Sequence, residues 1–159
     1  NHETKVSTNS VTLGAWMVDW PTTSGVAVGA NDPYSVRTEI QAYSKATYPR
    51  GFANSAGNAT NPSTAIGAEA GLHIITRRSS SDNEYYCNNV SIATSTAASS
   101  TNSCQNEVFI LAKSSYTGTG SSTPFNGKLG IVFYMAGITD NEASILFTIF
   151  DTYMTAIGL

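Results

Sequence analysis

Two hydrophobic periods meet near the end of this chain. KLGIVFYM alternates as a strand does up to Met135, and from Thr139 the pattern becomes helical: Ile145, Leu146, Ile149, Phe150, Tyr153, Met154 and Ile157 recur at helical spacing. Thr139 and Glu142 have the spacing of a capping box, Asp140 adds negative charge to the first turn, and Gly158 stands where a helix stops. A helix with so apolar a face must bury it. The spacing predicts that Ile145, Ile149, Phe150 and Tyr153 are covered by a sheet or a neighbour, with Thr148, Asp151, Thr152 and Thr155 on the opposite side.

Upstream, period two prevails. VTLGAWMV is apolar on both faces, GVAVGA stops at the turn Asn31-Asp32-Pro33, and VRTEIQAY alternates cleanly. Residues 44–70 hold one expected strand, around Arg50 to Asn54, and are otherwise loop. GLHIITRRSS and NEYYCNNVSIAT are separated by SSD, the spacing of a hairpin; EVFILAK and KLGIVFYM follow. The run from Ser91 to Ser103 reads as a long hairpin arm. At least seven short strands and one terminal helix predict an all-β antiparallel sandwich or jelly roll with one C-terminal α-helix. A length of 159 residues suits one core, so residues 1–159 are expected to form a single domain, with 1–10 a tail or linker. The first residue is not Met, and the chain is expected to belong to something longer.

Charge is sparse, 12% of residues with a net charge of −3, and apart from Arg77-Arg78 the cations are scattered. That argues against a nucleic-acid partner. No apolar run approaches the ~18 residues of a membrane helix, so a soluble chain without membrane insertion is expected. His2 and His73 have no partner at metal-ligand spacing, and His73 reads as an outward strand residue. No G-x-S-x-G elbow occurs, and Gly118 and Gly120 lack the third glycine of a phosphate cradle. Asp82 and Glu84 are the one pair of acids at alternate positions of an expected strand; they straddle a turn and read as solvated charges beside Arg77 and Arg78. No catalytic residue, metal site or cofactor is therefore assigned, although Asp32 or Asp140 could lend an oxygen to calcium. Asn58 and Asn89 match the glycosylation sequon, as matches arising by chance would. Cys87 and Cys104 would close a short loop if bonded, worth roughly 3 kcal/mol; the alternative is two free, half-buried thiols.

Carbohydrate recognition needs an aromatic ring for the apolar face of a sugar and amides or hydroxyls for its edge. Trp20, Tyr34, Tyr48, Tyr85 and Tyr116 are expected in or beside turns, and Asn31, Asp32, Asn54, Asn58 and Asn61 in polar loops. Of these, Trp20, Asn31, Asp32, Tyr34, Tyr48, Tyr85 and Tyr116 are the candidate ligand contacts.

Several segments also follow a family pattern. Tyr86 and Asn88, then Val108, Ile110 and Leu111, then Phe125, Gly127, Lys128 and Leu129, then Gly137, Ile138, Thr139 and Asp140 resemble the order of turns, strands and helix cap in concanavalin A-like lectin/glucanase (laminin-G-like) jelly-roll domains of tailed-bacteriophage and prophage structural proteins. The resemblance covers Gly71 to Gly158 and, more loosely, Val11 to Tyr43. Two features depart from the pattern: Asn89 stands where the family has Gly, and the strands usual before Val11 are missing. The resemblance implies a non-enzymatic, lectin-like module on the virion surface, a homotrimer as fibre tips commonly are. Its partners would be a cell-surface glycan or receptor and other virion proteins. A glycoside hydrolase or lyase acting on surface polysaccharide, and a cellular adhesin or secreted lectin, are the alternatives.

Overall fold

The computed structural model describes residues 6–31, 36–42, 49–56, 60, 69–101, 108–114, 121–122 and 124–159. Its strands are β1 (Val11–Asp19), β2 (Gly25–Asn31), β3 (Val36–Ala42), β4 (Arg50–Ala56), β5 (Gly71–Ser79), β6 (Asp82–Cys87), β7 (Val90–Ser95), β8 (Phe109–Ile110), β9 (Lys113–Ser114), β10 (Ser121–Ser122) and β11 (Lys128–Met135), followed by the helix α1 (Asp140–Ala156). The strands make a five-stranded sheet in the order β11-β1-β5-β6-β7, a four-stranded sheet in the order β4-β3-β2-β8, and the ribbon β10-β9. All of these pairings are antiparallel. The architecture is the expected sandwich with a C-terminal helix.

The double apolar face of β1 has a direct cause. Val11, Leu13, Ala15 and Met17 point between the sheets, where they meet Val28, Ile40, Ala53, Ile75 and Tyr85. Trp16 points the other way, with Leu72, Ile74 and Tyr86, into a second core under the helix. The five-stranded sheet is thus covered on both faces, and each large apolar side chain buried there contributes roughly 1.5–3 kcal/mol.

The capping box forms as expected: the Thr139 hydroxyl accepts from the Glu142 amide at 3.3 Å, and Glu142 accepts from the Thr139 amide at 2.7 Å. Gly158, at φ 81°, follows the C-cap Ile157. The helix is rotated from its expected setting, however. Ala143 and Met154 are buried and Leu146, Phe147 and Phe150 partly so, whereas Ile145, Ile149 and Tyr153 are 49%, 55% and 55% exposed. Trp16 stacks on Phe147 and Phe133 packs against Phe150, which fixes the rotation. The apolar sector of the helix is wider than one sheet can cover, and its outer flank stays in solvent.

NEYYCNNVSIAT is two strands rather than one, turning at Asn88 (φ 46°) and Asn89 (φ 65°), so Asn89 does take the left-handed conformation in place of glycine. EVFILAK breaks at Leu111, φ 63°, into β8 and β9. His73 faces inward and is fully buried, contrary to the outward reading, because its strand face is the one between the sheets. Arg77 is buried too. Its guanidinium donates to the carbonyls of Ala53 (2.6 Å), Ser80 (3.0 Å) and Ala97 (3.2 Å), tying β4, the β5–β6 turn and the segment after β7 together; burial lowers its pKa. The polar run after Ser95 therefore does not stand out as a free arm over its described part: Ser99 and Ser100 donate their amides to Ser80 and Asn54.

Candidate functional site

An open hollow of ≈360 Å³ lies where the second half of α1 crosses the ends of β1 and β5. Phe147, partly buried, forms its aromatic wall, stacked on the buried Trp16 with the rings 6.4 Å apart and 17° from parallel. Asp151 stands one helical turn after Phe147, on the same side of the helix, and Leu159 closes the far end. The other wall is backbone and amide: Ala70, Gly71 and Asn88. Asn88 is fixed there by accepting from the Leu72 amide at 2.8 Å and donating to the Ala70 carbonyl at 2.9 Å. Gly71 is obligatory beside it. At φ 116° it is strained for any side chain, and a Cβ would lie 1.9 Å from the Asn88 Oδ1. A flat apolar wall, one carboxylate and a rim of peptide groups suit a small neutral ring bearing hydroxyls.

A second cluster sits under the N-terminus of α1. Arg78 binds Glu84 and Asp140 in short contacts and Asp82 at 3.0 Å; Tyr86 donates to Asp140 at 2.7 Å, and Ser91 donates to Glu84. The pair read as solvated is thus partly buried, and of the two arginines only Arg78 meets it, since Arg77 points into the sandwich. The bonds from Tyr86 and Arg78 hold the Asp140 carboxyl below its usual range. Burial raises the Tyr86 pKa, and its bonds to Asp140 and Glu84 add to the shift. A glycosidase acid needs the opposite, a carboxyl that keeps its proton near neutrality. The cluster ties helix to sheet.

A third cluster is interior. His73 bonds the Tyr85 hydroxyl at 3.1 Å and the Glu69 carbonyl at 2.9 Å, and the Cys87 thiol lies 3.4 Å from the Glu69 carboxylate. Burial pushes His73 down to about 4 and Cys87 up to about 12, so neither carries charge near neutral pH. That is the reverse of an activated thiol and imidazole pair.

These positions correct several expectations. Tyr85 is fully buried between the sheets and cannot stack on a ligand; Asn31 and Asn54 are buried in strands. Trp20 is half-buried, packed on His73 with ring centroids 5.6 Å apart. The Cys87 thiol is free and buried, turned inward toward Glu69 and His73. Asp32, Tyr34, Tyr48, Asn58, Asn61, Cys104 and Tyr116 lie outside the described residues. Among the described residues no group of three or more metal-ligating side chains converges, and Asp140 is engaged by Arg78 and Tyr86. No described helix is long and apolar enough to cross a membrane.

Comparison with known proteins adds the fold. The chain folds like a pentraxin. The similar structure is the native heptameric SAP-like pentraxin from Limulus polyphemus, with a TM-score of 0.57 and 14% identity over 86% of this chain and 68% of that one. The likeness agrees with the expected antiparallel jelly-roll sandwich. No protein-family model and no curated protein matches the chain.

The hollow went unread in the sequence because its parts come from elements read as core. Trp16 belonged to a strand face and Phe147 to a helix seam. The one available signal was Phe147 with Asp151, an aromatic and an acid four residues apart beside the buried face.

Proposed function

We propose that the chain is a non-enzymatic, lectin-like recognition domain that takes a sugar ring in the hollow between α1 and β1. The observation that carries this is the partly exposed Phe147, backed by the buried Trp16, opening beside Asp151 on a jelly-roll sandwich. Aromatic faces bind the C–H face of a sugar, and a carboxylate accepts from two adjacent hydroxyls. The sparse charge of the surface suits a neutral ligand. The family resemblance of Gly71 to Gly158 extends the reading to an exposed structural module of a bacteriophage particle, used for host attachment or decoration. The heptameric state of the pentraxin of like fold supports an oligomer that multiplies weak sites.

A glycan array and host-cell binding, run with the wild type and with Asp151→Ala and Phe147→Ala, tests the site. Each variant is expected to lose about tenfold or more in binding. Absence of binding by the wild type removes the recognition role; full binding by both variants moves the site elsewhere. Detection of the chain in purified particles tests the virion assignment, and its recovery from a cell envelope instead would favour an adhesin. Release of reducing ends from host polysaccharide would favour the hydrolase alternative.

A further inference from the structure

The helix α1 covers the sheet with one sector and leaves another bare. Ala143, Phe147, Phe150 and Met154 turn toward the sheet, whereas Ile145, Ile149, Tyr153 and Ile157, each four residues after the last, are half-exposed. Side chains at that spacing form a ridge along a helix. Beside it runs a row of smaller exposed side chains, Thr148, Thr152 and Ala156, so the ridge is bordered by a shallow groove. Where the ridge begins, a second hollow of ≈210 Å³ opens between Met135, Ile138, Glu142, Ile145 and Leu146.

Charge and shape together select what can cover this flank. The ridge is uncharged, the helix carries Asp140, Glu142 and Asp151, and its last turn has no basic residue, so an anionic lipid surface would be repelled rather than held. A ridge and a groove lying side by side are what a two-fold contact requires, because each helix can then lay its ridge in the groove of the other. Antiparallel helices also bring the end of one ridge over the start of the other, which sets Ile157 opposite the hollow beside Ile145.

We propose that this flank binds a second copy of the chain, α1 packing antiparallel on α1 about a two-fold axis, with Ile149 against Tyr153 and Ile157 against Ile145 of the other copy. The helix axes then lie roughly 8–10 Å apart. The ridge faces away from Ala143 and Met154, so each sheet stays on the far side of its own helix and the two sandwiches do not meet. The antiparallel dipoles attract, and the acidic first turns sit at opposite ends of the pair. Phe147 and Asp151 lie on another side of the helix, so the hollow between α1 and β1 stays open in both copies. The ridge with Thr152 and Ala156 offers on the order of 500 Å² per copy, short of the roughly 800 Å² of a standard interface, and the dimer is accordingly a weak one.

Sedimentation of the chain from micromolar to millimolar concentration is expected to show a monomer–dimer equilibrium. Ile149→Lys with Tyr153→Lys should weaken it by roughly 30-fold or more at unchanged thermal stability. Ile110→Lys, an exposed position on the four-stranded sheet, should leave it intact. An equal mixture of Ile145→Cys and Ile157→Cys chains under mild oxidation should form a cross-linked dimer faster than either variant alone. Should the double lysine variant melt early, the cross-linking rates decide by themselves. A chain that stays monomeric throughout, a stable double variant that still dimerises, assembly into trimers or larger rings, or a mixture that cross-links no faster than its components overturns the proposal.

Discussion

His73 shows what a single position can do in this sandwich. It sits between the sheets, held by Tyr85 and the Glu69 carbonyl, and burial lowers its pKa from 6.5 to about 4. Between those values the unfolded chain binds the proton and the folded chain does not. Stability is therefore fully present above about pH 6.5 and lost as the pH falls toward 4. The contribution is on the order of 3 kcal/mol. His73→Gln, followed by thermal melts across that window, should flatten the pH dependence; an unchanged acid slope would assign it to other groups. The sequence put this histidine in a strand, which was right, and facing outward, which was not. Period two says which residues share a face, but where both faces are buried it does not say which face meets which core. Arg77 misled for the same reason, since a cation in a strand reads as wet until carbonyls from three segments are seen around its guanidinium.

At the scale of elements, the helix was the most legible part and also held the largest error. Its start, cap and end follow from local chemistry: Thr139, Glu142 and Gly158 act on groups within a few residues. Thr139→Ala should cost about 1 kcal/mol, whereas Met154→Ala, at the fully buried contact with Gly130, should cost about 2–5 kcal/mol. Chemical denaturation of the two variants measures the difference, and equal losses would mean that the cap, not the packing, holds the helix. Its rotation depends on Trp16 and Phe133, more than a hundred residues apart in sequence, and no spacing within the helix reports it. Strands were legible as runs, but their breaks at Asn88, Asn89 and Leu111 rest on positive φ values that asparagine signals weakly and leucine not at all. The candidate site was lost at this scale, because the hollow is a property of two elements meeting.

At the scale of the molecule, the helix is what lets a sheet with apolar residues on both faces remain in water. Removing residues 140–159 would uncover Trp16, Leu72, Ile74 and Tyr86. The shortened chain should aggregate or bind a hydrophobic dye, and a soluble, dye-silent product would show that the sandwich needs no such cover. The fold class could be read from the count of short strands and their turns, since those depend on local sequence. The order β11-β1-β5-β6-β7 could not, because it joins strands from the two ends of the chain. One consequence concerns load. Ser10 bonds the Gly137 amide at one end of the sheet, and the helix then carries the chain back to leave Leu159 beside Met17 and Val18 at the other. A segment joined ahead of β1 and one joined after α1 would depart from opposite ends, like the two threads of a bead. Tension along such a string would pass through the contacts of Trp16, Phe133, Phe147, Phe150 and Met154. The seam that keeps the sheet dry would then also set the force at which the module gives way.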